Sequence, residues 1–93
     1  MTPLEKDIEK DLCRMIGRHG GLCLKWVCPG WAGVPDRICL LPGGRIIFVE
    51  LKRPGGVEAA RQFVWKERLL AMGFDCRTLW SHEDVAELGK ELK

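Results

Sequence analysis

The segment RICLLPGGRIIFVEL, residues 37 to 51, constrains the fold of this 93-residue chain more than any other stretch. Two apolar runs flank Pro42, Gly43 and Gly44, which reads as a β-hairpin with strands over Asp36–Leu41 and Arg45–Lys52. If those three residues form the loop, Leu41 lies opposite Arg45 and Asp36 lies opposite Glu50. Opposed residues share a face, and alternation brings Lys52 to the same face beside Glu50. A two-residue loop would shift the register by one and separate the two acids. Facing carboxylates repel each other. A divalent cation between them removes the objection, because hard ions such as Mg²⁺ take carboxylate and water oxygens. The same residues also fit a plainer account, in which Glu50 and Lys52 form a surface ion pair and Asp36 is a turn residue after Pro35.

The rest of the chain supplies partners for this hairpin. A helix is expected from Pro3 to Arg18, with Pro3 in its first turn and Gly20–Gly21 at its end. A strand follows over Leu22–Cys28, then the loop PGWAGVP ahead of the hairpin. Glu58 to Met72 has helical periodicity and stops at Gly73. Phe74–Trp80 alternates as a strand, and Ser81 with Asp84 has the spacing of a capping box for a last helix to Leu92. The order αβββαβα predicts an α/β domain built around one small mixed sheet, spanning residues 1–93. With 46% apolar and 30% charged residues the chain has the composition of a globular protein, which argues against disorder. A net charge of +2 permits a polyanionic partner without requiring one. No apolar run reaches the ~20 residues of a membrane span, so the expectation is an intracellular, cytoplasmic protein with no membrane partner. The five cysteines form no C-x-x-C pair and read as small buried thiols, and neither histidine stands at zinc-ligand spacing from one.

Helix geometry sorts the remaining polar residues. On the first helix Leu4, Ile8, Leu12, Met15 and Ile16 fall within an arc of about 120°. Glu5 lies inside that arc and Glu9 just outside it, which favours Glu5 as a further acid at the site; a first-turn charge is the plainer role for it. On the helix after Glu58, Gln62 and Lys66 lie within the apolar arc, where Gln62 suits a site role or a satisfied core amide, and Lys66 could reach a phosphate. Trp31 lies in the loop before Asp36 and suits base stacking or a dimer contact, whereas Trp26, Trp65 and Trp80 read as core. Arg37, Arg45, Arg53 and Arg61 cluster around the proposed site and suit phosphate contacts, or plain solubility.

Pro35–Asp36, thirteen intervening residues, then Glu50-Leu51-Lys52 match the PD-(D/E)-x-K nuclease signature. More closely, the chain resembles the VRR-NUC family, the virus-type replication-repair nucleases. The resemblance runs through LEKDIEKDL, GGLCLKW, GVPDRICLLPGG, FVELKRPGG, the helix with Gln62, and GFDCRTLWSHEDV, in that order over most of the chain. It implies a restriction-endonuclease-like core and metal-dependent hydrolysis of DNA phosphodiesters. Asp36 and Glu50 would be the central ligands of Mg²⁺ or Mn²⁺, with Glu5 and the backbone carbonyl of Leu51 as further ligands. Lys52 would orient the attacking water and stabilise charge on the phosphorane-like transition state. Gln62 matches the family's helix glutamine, and Lys25 matches a family lysine with a supporting site role. Stand-alone members are typically phage- or prophage-encoded, and some act as dimers on branched DNA. The expected protein is therefore a homodimeric endonuclease for branched or four-way-junction DNA, with exchange of an element between subunits as an option. The alternative is a catalytically silent nucleic-acid-binding module that keeps the nuclease fold.

Overall fold

The computed structural model describes residues 1–92. Its elements run α1 (Pro3–Arg18), β1 (Leu22–Lys25), β2 (Arg37–Leu41), β3 (Arg45–Leu51), α2 (Ala60–Ala71), β4 (Asp75–Leu79) and α3 (His82–Glu91). The four strands form one mixed sheet in the order β1-β2-β3-β4, antiparallel except for the β3–β4 pair. Parallel neighbours need a crossover connection, and α2 is that connection. Element order and class are those expected from the sequence.

The hairpin has the three-residue loop. Leu41 pairs with Arg45, and the ladder continues to Arg37 opposite Val49. Gly43 and Gly44 both hold positive φ, 85° and 78°, a conformation that side chains with a Cβ disfavour. Beyond the ladder, the Leu51 N–H donates to the Asp36 carboxylate at 2.9 Å. Asp36 is thus bonded across the hairpin rather than within a local turn.

Strand alternation divides the sheet into two faces. Cys39, Leu41, Ile47, Val49, Leu51 and Leu79 pack with Ile8, Leu12, Met15 and Ile16 of α1 and with Val85 and Leu88 of α3. On the other face Phe48 and Cys76 pack with Leu69 of α2, bordered by Trp26, Ile38 and Trp65. This second cluster is smaller because the same face also carries Glu50 and Lys52.

Among the differences from expectation, two boundaries and one cap have clear local reasons. β1 ends at Lys25, not Cys28; one further bond links the Trp26 N–H to the Asp36 carbonyl at 3.0 Å, and Pro29 and Gly30 then turn the chain away. α2 begins at Ala60, because the Ala59 N–H is capped by the Gln62 side chain and the Glu58 carboxylate is drawn across to Thr78. At α3, the Ser81 hydroxyl accepts from the Asp84 N–H as a cap does, but the Asp84 carboxylate takes the Trp80 N–H, so only half of the capping box forms. Among the described residues no helix is long and apolar enough to cross a membrane.

Candidate active site

The end of β3 carries the site. Its alternation sends Leu51 into the α1 core and Glu50 and Lys52 to the α2 face. Lys52 Nζ lies 3.4 Å from Glu50 Oε2. From above, Gln62 Nε2 donates to the same Oε2, while Gln62 Oε1 accepts the Ala59 N–H at 3.1 Å. One glutamine thereby starts α2 and anchors it to Glu50. Both donors converge on a single carboxylate oxygen, and the other, Glu50 Oε1, is buried with no hydrogen-bond partner.

That oxygen is the exceptional feature of the site. Glu50 is only 5% exposed, the one buried charged residue among those described. Burial, then the charge of Asp36, push its carboxyl up to about 8, against the pull of Lys52. Burial also raises Asp36, opposed by the Leu51 N–H and reinforced by the negative charge of Glu9. An acid held uncharged by burial and by a neighbouring acid has the environment of a cation site: a divalent ion would satisfy Oε1 and offset the repulsion. Among the described residues no three Asp, Glu, His or Cys side chains converge on one point. Two carboxylates therefore fit an ion that completes its shell with carbonyl and water oxygens, as Mg²⁺ commonly does.

The structure brings together Asp36, Glu50, Lys52 and Gln62, with the backbone of Leu51 between them. It treats the helix acids differently from the sequence expectation. Glu5 closes the cap of α1: its N–H donates to the Thr2 hydroxyl at 3.2 Å, and its carboxylate accepts the Thr2 N–H at 3.4 Å. Glu9 is the acid whose charge reaches Asp36, and it pairs with Arg37 at 2.9 Å. The Thr2-Pro3-Leu4-Glu5 spacing of a capping box was the sequence signal that assigns Glu5 to the helix start.

The proposed phosphate contacts also divide. Arg37 donates to Glu9 and to the Cys23 carbonyl, and Lys25 lies opposite it in the ladder. Both therefore occupy the α1 face, away from Glu50 and Lys52. Arg45 sits at the far end of β3, 3.3 Å from Asp75. Arg53 and Arg61 are exposed. Arg61 lies against Gly33, where an added Cβ would come within 2.7 Å of it, so the loop before Asp36 is pressed onto α2. Trp65 Nε1 ties the same loop down through the Ala32 carbonyl at 3.0 Å, and Trp31 packs edge-on against Trp65 at 5.7 Å while staying 57% exposed. Lys66 donates to Thr78, a residue that, like Glu58, the sequence reading had not connected with the site.

No family model matches the sequence. The chain is 43% identical over 79 residues, 85% of each protein, to the protein of Acyrthosiphon pisum secondary endosymbiont phage 1 named "Putative nuclease p44". A solved structure described as a VRR_NUC domain superposes with a TM-score of 0.91 at 28% identity, covering 96% of this chain and 97% of that one. The order of elements, the position of Asp36, Glu50 and Lys52 on one face, and these two likenesses agree: the chain belongs to the VRR-NUC family of nucleases.

Proposed function

We propose that this nuclease is a divalent-metal-dependent endonuclease in which Asp36, Glu50 and Lys52 form the hydrolytic centre. The observation that carries the reading is the buried, unpartnered Glu50 Oε1 beside Asp36, with Lys52 on the same carboxylate. Asp36, Glu50 and the Leu51 carbonyl would hold Mg²⁺ or Mn²⁺, with water completing the shell; of the two helix acids, Glu9 is the one whose charge reaches Asp36. A cation bound there lowers the pKa of its water and screens the phosphate charge.

The protein's own groups do the remaining work. Gln62 holds the Glu50 carboxylate by one oxygen and leaves the other open toward Asp36. Lys52, with 15% of its side chain exposed, orients the attacking water and faces the negative charge that develops on phosphorus. The Leu51 N–H keeps the Asp36 carboxylate in register with Glu50. The exposed Arg53 and Arg61 supply contacts to flanking phosphates.

Branched DNA, including four-way junctions, is the proposed substrate, cut by a homodimer. The support in the fold is an open apolar row on the α2 side of the sheet: Leu22, Leu40 and Ile46 are register partners across three strands and are exposed, as is Leu24 beside them. Such a patch suits a second copy of the chain.

The test is cleavage of single-stranded, duplex, flap and four-way-junction DNA and of RNA, with Mn²⁺ and with chelator. Asp36→Ala, Glu50→Ala and Lys52→Ala should each reduce cleavage by about a thousandfold or more without changing the circular-dichroism spectrum. Cleavage that persists in chelator would overturn the metal. Near-normal turnover by Lys52→Ala would make the lysine structural. Binding without cleavage in Mn²⁺ would leave the silent module as the function. A monomer in sedimentation at tens of micromolar would remove the homodimer.

A further inference from the structure

The face that carries Glu50 and Lys52 continues onto the edge strand β4. Thr78 is the register partner of Glu50 in the parallel pair and shares its face. Its hydroxyl donates to Glu58 Oε2 at 2.8 Å and accepts from Lys66 Nζ at 3.2 Å. A threonine hydroxyl has one proton, and an ammonium can only donate, so the polarity of the chain from Lys66 through Thr78 to Glu58 is fixed.

Helix α2 explains the placement. Gln62 and Lys66 are four residues apart and emerge on one stripe. Gln62 reaches Glu50, and Lys66 reaches the next residue of the same cross-strand row. Cys76, the register partner of Phe48, lies on the same face. Burial pushes its thiol up to about 11, Lys66 pulls it down, and Asp75, Glu50 and Glu58 push it further up. Lys66 is therefore a half-buried ammonium held in place beside the acids, unlike a freely moving surface lysine.

We propose that Glu58, Thr78 and Lys66 form a second phosphate-binding arm of the nuclease site. Lys66 contacts the phosphodiester next to the one that Lys52 faces, and Thr78 and Glu58 are positioning residues for it. The arm rests on the assignment of Asp36, Glu50 and Lys52 as the hydrolytic centre. Neighbouring strands lie ~4.8 Å apart, so Glu50 and its partner Thr78 stand side by side on one face, with Lys66 held on Thr78 and Lys52 on Glu50. The two ammonium groups are therefore presented on neighbouring positions of one face.

The experiment is fluorescence anisotropy of a fluorescein-labelled DNA duplex and its single strand, titrated with protein in chelator over a salt series. Lys66→Gln should reduce the salt slope of log affinity by about 0.9 for the duplex or about 0.7 for the single strand, the release of one phosphate contact. Lys66→Arg should restore the slope. Thr78→Val should weaken binding by about two- to tenfold, and Thr78→Ser should recover it, because only the hydroxyl is at issue. In cleavage with Mn²⁺, KM should rise in Lys66→Gln by a larger factor than kcat falls. An unchanged salt slope in Lys66→Gln overturns the arm, as does a Thr78→Ser protein that binds no better than Thr78→Val. Failure of the hydrolytic centre shows elsewhere, as cleavage that survives Lys52→Ala.

Discussion

The two faces of the sheet follow one hydrophobic pattern and reach opposite ends. On the α1 side, Ile47, Val49 and Leu51 of β3 meet two helices and close a core in which Ile8, Leu12, Ile16, Cys39, Ile47 and Val49 have no exposed surface. On the α2 side, the same strand offers Phe48, Glu50 and Lys52 to a single helix, whose only buried residue is Leu69. The first face holds the fold together. The second gives up apolar burial for charges, and its weakest point, the unpartnered Glu50 oxygen, is where the chemistry is proposed. With the proposed centre, stability and activity are separated by the thickness of one strand.

Changes on the two faces should therefore differ in kind. Leu12→Ala removes a side chain with no exposed surface from the α1 face and should lower stability by about 3 kcal/mol, read by urea unfolding. Activity per folded molecule should be retained. A smaller loss of stability than for Phe63→Ala, on the exposed side of α2, would break the comparison.

Glu50→Gln should do the reverse. The folded carboxyl titrates at about 8 and the unfolded one near 4.5. Between those values the folded chain holds a proton that the unfolded chain has released, so wild-type stability falls as pH rises through the window. In chelator the variant should match wild type at or below pH 4.5 and exceed it by a margin that widens up to pH 8, with cleavage lost. Parallel stability profiles for the two proteins would show that Glu50 is not held protonated by its surroundings.

A finer test separates repulsion from hydrogen bonding. Asp36→Asn keeps an oxygen for the Leu51 N–H and removes the charge that opposes Glu50. Metal-free stability at neutral pH should rise by about 0.5–1 kcal/mol. The stabilisation of wild type by Mn²⁺ should largely disappear in the variant. A variant that melts no higher than wild type and responds equally to Mn²⁺ would refute facing, repelling acids.

How much of this was readable in advance depended on how local the determinant is. Pro42, Gly43 and Gly44 set the hairpin register within a few residues, so the juxtaposition of Asp36 and Glu50 could be read from the chain. The parallel register of β3 on β4 could not. A helical crossover leaves the pairing to packing, so nothing local revealed that Thr78 would lie beside Glu50 or that Glu58 would reach it. The α1 arc placed Glu5 by angle alone. It took no account of the orphan N–H groups at the helix start, which claimed that carboxylate and left Glu9 as the α1 acid whose charge reaches Asp36.

The smallest expected effect lies at the outer edge of the α1 face. His82 at the start of α3 meets Asp11 at 2.7 Å and Asp7 at 3.2 Å on α1. The bond to Asp11 leads in raising its pKa above the ordinary 6.5. The contribution is complete below 6.5 and is lost as pH rises through the raised value. His82→Gln should therefore melt slightly below wild type in acid and coincide with it in base. A difference that grows with pH would contradict the ion pair.

The three-residue loop has a further consequence for the order of events during folding. A hairpin closed by so short a loop forms in ~1–10 μs, whereas pairing β4 in parallel must await the much longer closure through α2. Asp36 and Glu50 therefore meet before Gln62 arrives to hold either of them. If their repulsion is already felt in the transition state, a cation or a proton that relieves it should speed folding, with little change in the rate of unfolding.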